Sequence, residues 1–140
     1  MTALNQVSKS VNQEQVEKSR KLQTVETLFG AMQREDWATL KSCLTDDVFY
    51  RVGSSEPIHG SENVVSFLTD MYKVAKFQYP DVRQVLEPEG QVIFEMESNY
   101  LRLKDQKPIH FACTDILRME NDEKVREWRV YVDISPMYAE

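Results

Sequence analysis

The sequence has few cysteines and no long apolar run, and each shortage excludes a class of protein. Cys43 and Cys113 are its two cysteines, and they lack the spacing of metal ligands. A disulfide framework or a zinc site is therefore not expected, and both residues are predicted to be small buried hydrophobes. Apolar runs reach only a few residues, whereas a transmembrane helix needs about 20. We expect no membrane span, no metal and no cofactor.

Positive charge is also scarce. The chain has 17 lysines and arginines against 23 acidic residues, a formal charge of −6, and the basic residues are scattered. Since phosphate binding needs clustered positive charge, nucleic acid is a poor candidate partner. The first 20 residues do not follow the basic, apolar, small-residue order of a secretory signal, so a cytoplasmic protein is expected.

The length of 140 residues fits one domain. Residues 1–20 are polar, with isolated valines, and predict a mobile tail or a frayed helix before a single domain over residues 21–140. Apolar residues at helical spacing predict three helices: one from Leu22 to about residue 35, a short one over residues 37–44, and one after an N-cap at Ser61. Residues 48–52 predict a strand and residues 53–57 a loop.

From Val82 onward the apolar period changes from helical to two. This pattern predicts strands over residues 82–86, 91–103, 109–119 and 124–133, with Pro80 closing the preceding region. Short connections favour an antiparallel meander. Helices followed by long strands are typical of the α+β class, here with the helices packed on one face of a curled antiparallel β-sheet.

Three stretches carry a family resemblance: D-W-A-T-L-K-S-C-L-T-D-D-V, E-P-I-H-G-S-E-N-V and D-I-L-R-M-E-N-D-E-K-V-R-E-W-R-V-Y-V-D. Their order and spacing resemble the nuclear transport factor 2-like superfamily, and within it the SnoaL-like branch of polyketide cyclases, ketosteroid isomerases and limonene-epoxide hydrolases. The resemblance covers about residues 21–137. It implies a cystatin-like cone, in which three N-terminal helices wrap the curled antiparallel β-sheet around one apolar cavity. It also implies a homodimer that packs through the sheet.

The resemblance also suggests site residues, position by position. Val52 and Leu28 stand where ketosteroid isomerases have their base and tyrosine, and Val130 stands where limonene-epoxide hydrolases have a closing aspartate. Tyr50 matches the tyrosine that holds water in those hydrolases. Asp115 matches both the oxyanion acid of the isomerases and the acid/base residue of SnoaL-type cyclases. The resemblance therefore implies acid/base catalysis with Asp115 as proton donor. Its partner stays open among Tyr50, Tyr100 and His59, of which Tyr50 is named as the catalytic candidate.

Strand alternation gives an independent prediction for Asp115. It places this aspartate on one face of its strand with Phe111, Cys113, Leu117 and Met119. A carboxyl group on an apolar face has a raised pKa and serves as a neutral hydrogen-bond donor or a proton shuttle. The alternative is a structural residue that bonds a neighbouring strand or lies at an exposed rim.

The same alternation predicts an apolar cavity for a small apolar molecule. The expected lining residues are Phe94, Met96, Tyr100, Phe111, Leu117, Trp128 and Val130. Plain core packing is the alternative for each of them. Two histidines, His59 and His110, are expected in a loop and on the outer sheet face. Function therefore stays open between an acid/base isomerase or cyclase acting on an apolar cyclic substrate, and a non-catalytic ligand-binding or dimerisation module.

Overall fold

The computed structural model describes residues 18–140. The first 17 residues of the predicted tail lie outside this range. Residues 18–20 of that tail lie at the start of the first helix, α1. Ser19 is its N-cap, and the Ser19 hydroxyl accepts a hydrogen bond from the backbone N–H of Leu22 at 3.2 Å. The division into a tail and a domain stays a prediction.

The three predicted helices are present. They are α1 (Arg20–Arg34), α2 (Trp37–Ser42) and α3 (Ser61–Met71). The second helix ends earlier than predicted, because Leu44 already belongs to the first strand. Within residues 18–140, no helix has both the length and the apolar character needed to cross a membrane.

In the described part of the chain, six strands form one sheet. They are β1 (Leu44–Val52), β2 (Ile58–His59), β3 (Ala75–Leu86), β4 (Gln91–Arg102), β5 (Lys107–Glu120) and β6 (Lys124–Tyr131). Their order across the sheet is β2-β1-β6-β5-β4-β3. The predicted meander of β3 to β6 is antiparallel throughout, which confirms that expectation. One pairing differs, because β1 and β6 run parallel. The chain between these two strands forms β2, α3 and the strands β3 to β5.

The third strand begins at Ala75, seven residues before the predicted start at Val82. Pro80 was interpreted as a break, yet it lies inside this strand. Because β3 is the edge of the sheet, a proline there removes no hydrogen bond from an inner ladder. A short C-terminal helix, α4 (Ser135–Tyr138), was not predicted either.

The helices cover one face of the sheet and bury its apolar side chains. Phe29 of α1 packs edge-on against Phe94 of β4 and Trp128 of β6, with ring centroids 5.2 and 6.4 Å apart. Both cysteines are free and buried, as predicted. The α+β fold expected from the sequence is confirmed, and its covered face holds the candidate site.

Candidate active site

The face predicted for Asp115 is the buried face of β5. Only 3 % of the aspartate is exposed. Across the strand ladder it lies opposite Phe94 on β4 and Val130 on β6. Four further residues on the same face of β5 are also buried, namely Phe111, Cys113, Leu117 and Met119. An ionisable side chain is thus held inside the apolar layer between sheet and helices.

Two neutral donors hold the Asp115 carboxylate. The indole Nε1–H of Trp128 donates to Oδ2 at 2.9 Å, and the Cys113 thiol donates to Oδ1 at 3.1 Å. The indole reaches this oxygen because Trp128 is paired with Leu117, two residues along β5 from the aspartate. Both carboxylate oxygens therefore act as acceptors, and the carboxylate is fixed in one orientation.

Burial raises the pKa of Asp115 from its ordinary value of 3.8 to about 6. The hydrogen bonds from Trp128 and Cys113 act in the opposite direction, because they stabilise the charged form. A carboxyl group with this pKa is mostly ionised at neutral pH and accepts a proton at little cost. Such a value suits a group that takes up a proton and returns it.

The carboxylate lies in the wall of a cavity of about 40 Å³. A water molecule needs roughly 10–15 Å³ on this measure, so the space holds about three water molecules or a compact ligand of similar size. The cavity is also lined by six of the residues that the sequence suggested, namely Tyr50, Met96, Tyr100, Phe111, Trp128 and Val130.

Two suggested lining residues do not reach the cavity. Phe94 and Leu117 are buried on the expected face, with exposures of 4 % and 0 %. Neither belongs to the cavity wall. The ring of Phe29 on α1 packs against Phe94 and covers it. Strand alternation therefore predicted the correct face for Phe94, but it did not predict which part of β4 lies under the helix.

Sequence reasoning also missed part of the wall. Helix α1 contributes Phe29 and Met32, the early part of β3 contributes Phe77, and α4 contributes Met137. The alternation of Ala75 and Phe77 was available as a signal for the longer strand. No periodicity marks the four-residue α4, whose only signal is the proline at its start.

A buried arginine fixes α4 over the cavity. The guanidinium of Arg102, 4 % exposed, donates to the backbone carbonyls of Pro136 at 2.8 Å and Ala139 at 3.0 Å. Its Nη2 also pairs with Asp105 Oδ2 at 2.6 Å. Through these contacts Met137, only 2 % exposed, closes one side of the cavity.

Two tyrosines bring hydroxyl groups to the cavity wall. Burial raises the pKa of Tyr50, and the nearby negative charge of Asp115 raises it further. Burial also raises the pKa of Tyr100 well above 10. The Tyr50 ring packs at 4.7 Å from Trp128, the donor to Asp115. Both phenols stay protonated at neutral pH and are available as neutral donors.

Neither histidine lies at the cavity. His59 is exposed on β2, where its ring packs against Phe49 with centroids 5.6 Å apart. His110 is exposed on the outer sheet face, as expected, and its Nδ1 contacts the side chain of Asn99. Between residues 18 and 140 no cluster of three or more histidines, cysteines and acids is placed to hold a metal ion.

Solved structures of known proteins share the fold. An LEH-like epoxide hydrolase of M. tuberculosis is 20% identical, with a TM-score of 0.71 over 85% of this chain and 86% of that one. A putative SnoaL-like polyketide cyclase of Shewanella putrefaciens CN-32 is 13% identical, with a TM-score of 0.74 over 87% and 96%. An NTF2-like protein of unknown function from Burkholderia pseudomallei K96243 is 17% identical, with a TM-score of 0.73 over 86% and 95%. At these identities the likeness shows the fold alone.

A comparison with curated proteins gave no match. The sequence model of the SnoaL-like domain, in contrast, matches residues 25–128, which include most of α1, the strands β1 to β5, Asp115 and Trp128. The chain therefore belongs to the SnoaL-like domain family.

Proposed function

We propose that the protein is a small-molecule enzyme that isomerises or cyclises an apolar cyclic substrate by acid/base catalysis, with Asp115 as the group that moves the proton. The observation that carries this proposal is a carboxylate 3 % exposed in the wall of an apolar cavity. Because both its oxygens accept hydrogen bonds, the proton shuttle is favoured over the neutral donor, and Asp115 begins the cycle as a base.

The chemistry follows from the neighbouring groups. The Asp115 carboxylate removes a proton from the carbon beside a substrate carbonyl, and the electrons of that C–H bond form an enolate. The protonated hydroxyl of Tyr50 donates a hydrogen bond to the enolate oxygen. Asp115 then returns the proton to the same carbon or to another one, which completes an isomerisation without any external oxidant or reductant.

A cyclic substrate requires the wall to move, since the cavity of about 40 Å³ is smaller than a ring substrate needs. Three wall residues, Val132, Ile134 and Met137, belong to the segment after β6 rather than to the sheet or the long helices. We place ring entry at this segment, with outward displacement of α4 as the step that enlarges the cavity.

Proton transfer can be tested without knowing the substrate. In D₂O at pD 7.5, ¹H NMR would follow exchange of the α-protons of cyclopentanone in the presence of the protein. We expect exchange faster than buffer alone, a fall to the buffer rate in Asp115→Asn, and a partial loss in Tyr50→Phe. Asp47→Asn, which removes an exposed carboxylate of β1, is the matched control and should keep the full rate.

A non-catalytic binding module is the second candidate. Its support is that Asp115 has no second group of near-neutral pKa beside it, since burial raises the pKa of Cys113, Tyr50 and Tyr100. Saturable binding of cyclopentanone without any α-exchange above buffer would contradict catalysis and favour this module. Exchange that survives Asp115→Asn would contradict the role of the aspartate.

A homodimer through the sheet belongs to the same proposal. The edge strand β3 exposes apolar side chains, with Tyr79 54 %, Val82 41 % and Leu86 46 % exposed, and an uncovered apolar edge favours association. Native mass spectrometry should show a dimer, and Val82→Lys should shift it to monomer. A wild-type monomer at all concentrations would refute the dimer. The cytoplasmic location stays a prediction.

A further inference from the structure

Within residues 18–140 the Asp115 carboxylate has no cationic partner. Its two bonds come from the neutral groups of Trp128 and Cys113. Among the described residues, no lysine, arginine or histidine lines the cavity, and none of their ion pairs includes Asp115. A buried carboxylate without a counter-ion is costly. A cation inside the cavity would remove this cost.

The remaining wall is suited to an organic cation. Six aromatic side chains surround the cavity, namely Phe29, Tyr50, Phe77, Tyr100, Phe111 and Trp128. Aromatic rings attract alkylated ammonium groups through their quadrupole, and the attraction is largest where water is excluded. A metal ion is a poor alternative, because it requires several oxygen ligands, and residues 18–140 offer no cluster of three acidic, histidine or cysteine side chains.

We infer that the cavity binds a small alkylammonium cation, with the Asp115 carboxylate as its counter-ion and the aromatic rings around its methyl groups. The volume of about 40 Å³ limits the ligand to a compact group with a few methyls. This inference shares the cavity with the proposed function and adds a ligand class to it. Because such a cation occupies the cavity and pairs with the Asp115 carboxylate, a neutral substrate cannot bind there at the same time. The cation should therefore inhibit α-proton exchange competitively.

Tetramethylammonium chloride is the probe, and tert-butanol is its neutral counterpart with the same number of non-hydrogen atoms. Titrations of ¹⁵N-labelled protein would follow the indole N–H signal of Trp128. The indole of Trp37, which packs on Tyr72 and does not line the cavity, is the internal control. We expect a saturable shift of the Trp128 signal with tetramethylammonium, and binding of tert-butanol weaker by about tenfold.

The role of the charge is tested by Asp115→Asn, with Asp47→Asn as the matched control. The first should weaken tetramethylammonium binding about tenfold and leave tert-butanol unchanged; the second should change neither. Equal affinity of the wild type for both probes, or full affinity in Asp115→Asn, overturns the inference. If tert-butanol binds and the cation does not, this inference fails while the proposed function stands. If neither probe moves the Trp128 signal, both fail.

A second measurement on the wild type covers the case in which Asp115→Asn does not fold. The titratable groups that face Asp115 are Cys113 on β5, Tyr100 on β4 and Tyr50 on β1, and burial raises the pKa of each above its ordinary value. All three are uncharged between pH 5 and pH 8, so Asp115 alone changes charge there. Tetramethylammonium should bind about tenfold more weakly at pH 5 than at pH 8; equal binding overturns the inference.

Discussion

Replacing Asp115 with asparagine should stabilise the protein at alkaline pH. The pKa of this carboxyl rises from 3.8 in the unfolded chain to about 6 in the fold. At about 1.4 kcal/mol for each pH unit between these values, ionisation costs the folded state about 3 kcal/mol more than the unfolded state. The cost is small below pH 4, grows between about pH 4 and pH 6, and is complete near pH 7.

Asparagine keeps the contacts while removing the charge. Its carbonyl oxygen accepts the indole N–H of Trp128, and its amide can donate to the Cys113 sulfur, a weak acceptor. The shape of the side chain is nearly unchanged, so no cavity forms. The pH dependence of the variant should therefore differ from that of the wild type through the charge of one group alone.

The assay is urea unfolding of both proteins at half-unit steps between pH 4 and pH 8.5. Other carboxylates, such as Asp105 with its pKa lowered by Arg102, are present in both proteins and cancel in the difference. The stability of Asp115→Asn relative to wild type should rise by about 3 kcal/mol across this range. A difference that stays flat with pH would refute the reasoning, because it would mean that Asp115 is not desolvated in solution.

Three further predictions concern single contacts. Trp128→Phe removes the donor to Asp115 Oδ2. The pKa of Asp115 should therefore rise above 6, and the free energy of unfolding should fall by about 1–3 kcal/mol. An unchanged urea midpoint across the same pH series would contradict this prediction. Thr45→Val should be neutral or stabilising by up to about 1 kcal/mol in urea unfolding, because the buried Oγ1 of Thr45 has no partner among the described residues; a clear loss would reveal a missed bond. Arg102→Ala should loosen α4 and speed digestion by carboxypeptidase several-fold. An unchanged rate would show that the buried Met137 and the bond from Lys104 to the Ala139 carbonyl are enough to hold the helix.

The sequence predicted the helices and inner strands well, because their apolar residues recur at one clear period. Helix α1 buries Val25, Leu28 and Met32 at the expected spacing, and β5 alternates strictly between buried and less buried positions. Both elements have one face in the core. A periodic pattern carries information wherever burial is one-sided.

The first half of the edge strand was not predicted. Residues 75–81 carry only one short alternation, from Ala75 to Phe77, and the rest of β3 is exposed or half-buried. This signal is weaker than that of Pro80, which is typical of a break. The extent of β3 is set instead by its pairing with β4, from Ala75 opposite Arg102 to Leu86 opposite Ile93, which is a contact between distant parts of the chain.

The sequence predicted the central residue of the candidate site, Asp115, but not all of the residues that line the cavity around it. Position 115 follows from alternation alone, and its burial confirms the predicted face. The two donors to its carboxylate were not predicted, although Cys113 and Trp128 were each placed on the buried side. Which inward residues touch one another depends on the register of β5 against β6 and on the helices above, and a single sequence does not specify either.

That register is set in part by the acidic turn between β5 and β6. Asn121 and Asp122 both have left-handed backbone angles, with φ of 52° and 55°, and the N–H of Glu123 bonds the carbonyl of Glu120 at 3.0 Å. These are the features of a type I′ hairpin turn, in which glycine is favoured at the second central position. A slip of one residue would turn Asp115 to the outer face.

Asp122→Gly should therefore stabilise the hairpin without touching the cavity. Glycine adopts the left-handed angle without the steric cost that aspartate carries, so we expect a gain of up to about 1 kcal/mol in urea unfolding. The pH dependence set by Asp115 should stay the same, because the turn only holds the register in which Trp128 reaches the carboxylate. A gain in the free energy of unfolding together with an altered pH dependence would mean that the wild-type turn strains the site. A fall in the free energy of unfolding would contradict the prediction, because it would mean that the left-handed angle of Asp122 carries no cost that glycine relieves.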